Sequence, residues 1–249
     1  MTTREDATTG TGTGRRGVVV AIDGPSGSGK STVSRRVAER LGLAYLDTGA
    51  MYRAATWWAL HRGVPLTDVE AVAALVRRMP LVMGVDPRDP SVHVDGHDVG
   101  GAIRETAISA AVSAVATNLG VRAELGRRQR EEIAAQAVPT SFSGGRGVVA
   151  EGRDITTVIA PDADVRLLLT ASEEARLARR AREVHGTDDA AAVAATRDQV
   201  VRRDADDSTV SQFLVASDGV VTVDSSELDL DQTVQAVLDV VARVADVHA

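Results

Sequence analysis

The eight residues Gly24-Pro25-Ser26-Gly27-Ser28-Gly29-Lys30-Ser31 constrain this chain more than any other stretch. They fit G-x-x-x-x-G-K-[ST], the P-loop pattern, whose backbone N–H groups cradle phosphates. Before them, Val18 to Ile22 is an apolar, β-branched run of the kind found in buried strands. After them, Ser31 to Leu41 places Val33, Val37, Ala38 and Leu41 on one helical face. Strand, glycine-rich turn and helix start thus give the loop N–H groups and the helix dipole one shared target, a phosphate. Glycine is needed where the backbone takes positive φ and must approach a ligand without a Cβ in the way. Lys30 is placed to set a compact charge on β and γ oxygens, and the Ser31 hydroxyl is a candidate Mg²⁺ ligand. Lys30 is also the only lysine of the chain, so arginine supplies every other fixed positive side chain.

Composition narrows the partners. With 249 residues, 44% hydrophobic and 25% charged, the chain can bury a sizeable core in one or two domains. A net charge of −7 and the lack of a basic run disfavour a nucleic-acid partner. No run is long and apolar enough for a membrane span, and the first residues lack a signal-type apolar segment. The absence of cysteine fits a reducing compartment, and a cytoplasmic location is expected.

In chain order, residues 1–16 are threonine- and glycine-rich and are expected to be a disordered tail. Ala44 to Leu46 reads as a short strand ending in Asp47-Thr48-Gly49, with a helix over Ala50 to Leu60. Thr67 to Arg77 reads as a helix with Thr67 as N-cap and Glu70 closing a capping box. Leu81 to Met83, Val92 to Val94 and Val99, broken by Asp95-Gly96, read as a small antiparallel insert within residues 80–101. Helices follow over Glu105 to Thr117 and Val121 to Gln136, then a glycine-rich loop from Ser141 to Gly147. Val148 to Ala150 and Val165 to Leu169 are buried-strand runs. Ser172 to Val184 and Asp188 to Asp204 read as helices, Val220 to Val223 as a last strand, and Asp231 to Val244 as a closing amphipathic helix. Strands alternating with helices predict a three-layer α/β fold, a parallel sheet flanked by helices, with the phosphate site at the carboxyl ends of its strands.

The P-loop alone leaves GTPases, motor ATPases, sulfotransferase-like enzymes and small-molecule kinases open. A chain with one lysine has no Asn-Lys-x-Asp guanine signature, and neither Val148–Ala150 nor Val165–Leu169 reads as ending in an acidic Mg²⁺ ligand. Phosphoryl transfer to a small acceptor remains, which calls for dispersed positive charge and excluded water. Arg153 follows a strand, Arg176, Arg179, Arg180 and Arg182 crowd one helix, and Arg202 and Arg203 end the next. The two helices and the glycine-containing connection from Val184 to Ala190 suit a closing lid. The alternative is ordinary pairing of these arginines with Glu173, Glu174 and Glu183.

Ile22 to Thr32 and Leu46-Asp47-Thr48-Gly49-Ala50-Met51-Tyr52-Arg53 closely resemble the bacterial cytidylate kinases. The resemblance extends through Ile103-Arg104, Val121-Arg122, Arg127-Arg128-Gln129-Arg130, Glu151-Gly152-Arg153-Asp154, Arg202-Arg203-Asp204 and Asp207-Ser208. It implies transfer of phosphate from ATP to CMP or dCMP with Mg²⁺, on a single P-loop kinase domain over residues 17–249 that acts as a monomer. Within it are implied a core (17–47, 148–171, 215–249), a monophosphate-binding segment (48–137) and a helical lid (180–205). ATP would lie against Gly24, Pro25, Ser26, Gly27, Ser28, Gly29, Lys30, Ser31 and Thr32. By similarity Thr48, Tyr52, Arg53 and Arg104 line the monophosphate pocket, and Ser113 and Arg122 read the cytosine edge. Arg153, Asp154, Arg203 and Asp207 fall on phosphate- and sugar-contacting positions, and Lys30, Arg153, Asp154 and Arg203 are the implied catalytic set.

Several features admit a plainer reading. Asp23 and Asp154 could form a general-base pair, but Asp23 reads better as structural support under the loop, since this chemistry demands no strong base. His93 and His97 have a metal-like spacing yet flank a turn without further ligands. Trp57 and Trp58 read as packing, and Arg127 to Arg130 as a solvated face. A kinase for shikimate, gluconate or uridine, and a nucleotide-binding regulator that has lost catalysis, remain as rivals. The family usually carries an arginine after Asp-Ser-Thr that grips the acceptor phosphate, where this chain has Val210, followed by Ser211-Gln212-Phe213-Leu214 in place of a proline-containing run. Arg202 is the candidate substitute. Losing a bidentate phosphate contact costs on the order of 2–3 kcal/mol, so weakened CMP binding is predicted. An acceptor KM in the family's ordinary range, with no compensating arginine, would count against that.

Overall fold

The computed structural model describes residues 17–247, and the expected N-terminal tail lies outside them. Five parallel strands form the main sheet in the order β2-β6-β1-β7-β8. They are β1 (Val18–Asp23), β2 (Ala44–Asp47), β6 (Gly147–Gly152), β7 (Val165–Thr170) and β8 (Val221–Asp224). β1 lies between β6 and β7, with Val18 to Asp23 in register against Gly147 to Gly152. Period-2 alternation sorts its residues between two cores. Ala21, with Ala44, Leu46, Val148 and Ala150, faces α2 (Thr48–His61), α3 (Val69–Arg77) and α5 (Leu119–Ala135). Val20 and Ile22, with Tyr45, Val149 and Leu167, face α1 (Lys30–Leu41) and α8 (Leu230–Val247). Covered on both sides, β6 is buried at every residue, which is why it reads as a continuous apolar run until its last residues.

The insert is antiparallel as expected, β3 (Leu81–Met83) and β4 (Val92–Val94) with a short β5 (His97–Asp98). Asp95 and Gly96 both take positive φ, 52° and 77°, the backbone of a tight primed hairpin turn. The third strand is thus His97–Asp98 rather than Val99, whose side chain is buried. His93 pairs with Asp98 and His97 with Val94, so the two histidines lie on opposite faces of the hairpin. Between this sheet and α5 lies α4 (Thr106–Ala116), preceded by a 3-10 turn over Ala102–Arg104. The last pair, α6 (Glu173–His185) and α7 (Ala190–Ser208), is joined by residues 186–189, a tighter connection than expected. Gly186 ends α6 in the left-handed conformation, and the Asp189 carboxylate caps α7 by accepting from Ala191 and Ala192.

Local capping moved several boundaries. Asp47 caps α2 by accepting from Ala50, so that helix opens at Thr48, two residues earlier than its apolar spacing shows. Asp68, not Thr67, caps α3, and its carboxylate takes the Ala71 N–H at 3.0 Å. Arg128 is not solvated: it donates to the carbonyls of Val76, Arg77 and Met79, closing the C-terminal end of α3. Trp58 packs in the core, while Trp57 stacks on His61 at 4.7 Å.

One element had no sequence signature. After β6 the chain makes a π-helical turn over Ile155–Ile159, held from below by Asp23. The Asp23 carboxylate accepts from Ile155 N at 2.9 Å, Thr156 N at 2.8 Å and the Thr156 hydroxyl at 2.6 Å. Asp23 therefore acts as a structural tie between β1 and the end of β6. Burial pushes its carboxyl up from 3.8 to about 6 against those three donors. The folded state then holds a proton that the unfolded chain releases, so this contribution is complete below pH 3.8 and lost as pH rises through 6. Across that window it amounts to about 3 kcal/mol. Urea unfolding between pH 4 and 7 is expected to show that fall in the natural protein and a flatter profile in Asp23→Asn; parallel profiles would contradict it.

Candidate active site

The carboxyl ends of β1, β2 and β6, the start of α2, the insert, α4 and the α6–α7 pair enclose one cavity of about 470 Å³. That size suits a small organic ligand. At its floor is the P-loop. Gly29 is the cap residue of α1 with φ 85°, a conformation an L side chain rarely takes. Gly24 sits so close to β7 that a Cβ there would lie 2.2 Å from the Leu169 carbonyl oxygen. Ser26, Gly27, Lys30, Ser31 and Thr32 reach the cavity wall. Lys30 folds back toward the Pro25 carbonyl at 3.5 Å, and burial lowers its pKa while the Glu151 carboxylate opposes the shift.

Glu151 is the main site residue that the sequence reading passed over. β6 runs two residues beyond the apolar Val148–Ala150, and its penultimate residue is this acid, fully buried. The strand therefore does end in an acidic group, contrary to expectation. Tyr45 donates its hydroxyl to Glu151 Oε1 at 3.1 Å, and Ser31 and Lys30 are neighbours of the same carboxylate. Burial, then the nearby Asp47, pushes the Glu151 carboxyl up. Thr48 donates to the Glu151 carbonyl at 2.7 Å, tying the start of α2 to the end of β6.

Around the cavity the arginines are held by carboxylates. Arg53 pairs with Asp47 at 2.9 Å, and Arg122 pairs with Asp154 while donating to the Ala116 carbonyl. Burial raises the Asp154 pKa, with Arg122 opposing it. Arg153 lies 2.9 Å from Asp204 and 3.0 Å from Asp207, and Arg203 approaches Asp207 at 3.8 Å. Burial, then the charge of Arg153, brings Arg203 down to about 10. Asp207 keeps one buried oxygen, Oδ1, without a partner. Tyr52 lines the wall, its phenol pushed up to about 12 by burial and then by Asp154. Arg104 stands exposed at the rim.

Three expectations change. Ser113 is not among the residues at the cavity wall; α4 presents Ser109, Val112 and Ala116 there, and Ser113 lies one turn beyond Ser109 on the edge of that face. Arg202 is no substitute for the arginine missing at Val210: its side chain is 81% exposed and lies 4.0 Å from Asp206, outside the cavity wall. Of the α6 arginines only Arg180 reaches the cavity, paired with Glu183 at 2.8 Å. Arg182 pairs with Asp188 at the surface. Arg179 bonds the Ser28 carbonyl and Ser225, and Arg176 bonds the Ser26 carbonyl and Asp204.

Asp204 was legible only as part of a motif, and its role is architectural. One carboxylate accepts the Ser26 N–H at 3.0 Å and faces both Arg153 and Arg176. It joins the P-loop, the end of β6 and both α6 and α7 at one point. Removing it leaves the largely buried Arg176 without a carboxylate partner and Arg153 with Asp207 alone, a loss of about 3 kcal/mol. Asp204→Ala is therefore expected to lower the urea midpoint strongly and to weaken ATP binding measured by calorimetry. An unchanged midpoint would show that the loop is held by other contacts.

A family model described as cytidylate kinase matches residues 20–243. A cytidylate kinase of Streptomyces griseus is 46% identical over 230 residues, covering 92% of this chain and 94% of its own. One from Nocardia farcinica is 50% identical over 232 residues, covering 91% and 94%, and one from Cutibacterium acnes is 48% identical over 225, covering 90% and 96%. With a P-loop, a buried acid and a ring of paired arginines around one cavity, and relatives this similar along nearly its whole length, the chain belongs to the cytidylate kinase family.

Proposed function

We propose that this protein transfers the γ-phosphoryl group of ATP to CMP or dCMP, giving ADP and CDP or dCDP in pyrimidine nucleotide metabolism. The observation that carries the reading is the convergence of Lys30 with Arg53, Arg153, Arg180 and Arg203 on one cavity, in a chain of this family. An oxygen of the acceptor phosphate attacks the γ-phosphorus as the bond to the β-bridging oxygen breaks. A monophosphate is largely dianionic near neutrality, so its attacking oxygen carries no proton for a base to remove. What the protein must supply is alignment and dispersed positive charge.

Lys30 and the loop Gly24 to Thr32 hold the donor's phosphates, the N–H groups coming from Gly27 onward because Pro25 has none and that of Ser26 is taken by Asp204. Arg153 and Arg203 sit between donor and acceptor and neutralise the charge in transit. Arg53 and Arg104 take the acceptor phosphate from the other wall, with Thr48 and Tyr52 shaping it. Arg122 lies against the base edge, and Asp154 and Asp207, the latter with its unpartnered oxygen, accept from the sugar. Ser113, one turn along α4 from the cavity-lining Ser109, is the further contact to the base edge. The oxygen-rich corner made by Ser31, Glu151 and Asp47 fits a hard divalent cation. Mg²⁺ would be held by the Ser31 hydroxyl, with Glu151 behind it, and when bound it supplies charge neutralisation at the donor phosphates.

The three-part division follows: a core, a monophosphate-binding segment bearing the insert, and a lid of α6 and α7 that shuts water out. A single chain's own elements complete the cavity, so a monomer suffices, working in the cytoplasm where its nucleotide substrates are.

Coupled assay of ADP release with Mg²⁺–ATP is expected to show turnover mainly with CMP and dCMP, and little with UMP, AMP or shikimate. Lys30→Met is expected to lower kcat about 100-fold or more while leaving the fold intact. Protein that binds ATP but turns over no pyrimidine monophosphate would overturn this reading in favour of a regulatory nucleotide-binding role.

A further inference from the structure

Arg153 has more charged neighbours than hydrogen bonds. Its Nη1 lies 2.9 Å from Asp204 and 3.0 Å from Asp207, yet no N–H is aimed at either carboxylate and this nitrogen is without a hydrogen-bond partner. Coulomb attraction alone places a guanidinium but does not fix its plane. The group that faces the plane is Phe213: the Arg153 Cζ lies 4.4 Å from the centre of its ring. Phe213 is 1% exposed and among the largest fully buried side chains of the protein. It belongs to the Val210–Leu214 stretch in which this chain lacks the expected arginine and proline run.

These facts are connected by the electrostatics of an aromatic face. A ring within about 6 Å attracts the cation through its quadrupole. Unlike a carboxylate, it neutralises no charge and occupies no donor. A guanidinium held from behind by a ring therefore keeps its full charge and its N–H edge for an incoming anion. It also arrives ordered, whereas a free arginine surrenders up to about 2 kcal/mol of rotamer freedom on binding.

We propose that Phe213 is a positioning residue for the transfer, its ring fixing the Arg153 guanidinium so that one ordered arginine does part of the work of the arginine absent at position 210. The proposal rests on the assignment of Arg153 to the transferring phosphate given above. Arg153 stands between donor and acceptor, and because the arginine absent at position 210 is one that grips the acceptor phosphate, the ring's contribution is read on the acceptor side.

Phe142 and Phe213 are the chain's two phenylalanines, and Phe142 is 46% exposed. In a Phe142→Leu background, replacing phenylalanine with its 4-fluoro, 3,5-difluoro and 3,4,5-trifluoro analogues drains the ring face of electron density with little change of shape. KM for CMP is expected to rise stepwise, reaching about three- to tenfold for the trifluoro ring. KM for ATP should stay within twofold and the thermal midpoint should move little. Phe213→Leu should raise the CMP KM in the same direction, and Val210→Arg in that variant should bring it back down. A flat CMP KM across the fluorine series, in protein that turns CMP over, overturns the inference alone. Unsubstituted protein that neither binds nor turns over CMP overturns the functional reading as well.

Discussion

The structure depends on keeping like charges together. Lys30, Arg53, Arg153, Arg180 and Arg203 share one cavity, and Arg122 lies beside them. Without counter-charges such a group would repel itself in a low-dielectric setting. Asp47, Glu151, Asp154, Asp204 and Asp207 are interleaved among these cations, most of them buried. The pattern is charge balance with the donors left partly unspent. Arg153 is near two acids but bonded to neither, and Asp207 holds back one oxygen. Such a site is stable while empty of phosphate and still has charge to offer when phosphate arrives.

The fold makes that balance possible by bringing three strand ends to one place. β1 leads into the P-loop, β6 into Glu151 to Asp154, and β7 into α6. Asp23 ties the first to the second by holding the turn after β6, and Asp204 ties the P-loop to α6 and α7. The α6–α7 pair is fastened at its root by Arg176 and Arg179, and its distal end is joined by the short 186–189 turn.

Much of this was legible in the chain because it is local. The P-loop, the alternating strands and helices and the Asp95-Gly96 turn follow from spacing and residue type within short windows, and the cavity residues Thr48, Tyr52, Arg53, Arg122 and Arg153 were named by the resemblance. The misses have a common cause. Glu151 lies just past an apolar run, and the strand is carried out to it by pairing on both sides, with Ile22 of β1 and Asp47 of β2. Arg128 looks solvated on its own helix, and becomes a cap only where α5 meets the end of α3. Arg202 neighbours Arg203 in sequence, and the phase of α7 turns one into the cavity and the other out to solvent.

By itself the sequence determined the fold class, the phosphate loop and the family, since these rest on glycine geometry, hydrophobic period and contiguous motifs. Tertiary structure decided how the charges are divided: which arginines spend their donors on the scaffold, as Arg176 and Arg179 do, and which face the cavity. It also decided that an aromatic ring, 60 positions away in the chain, lies behind Arg153. Residues so far apart meet only through packing, and no periodicity or local propensity encodes that meeting.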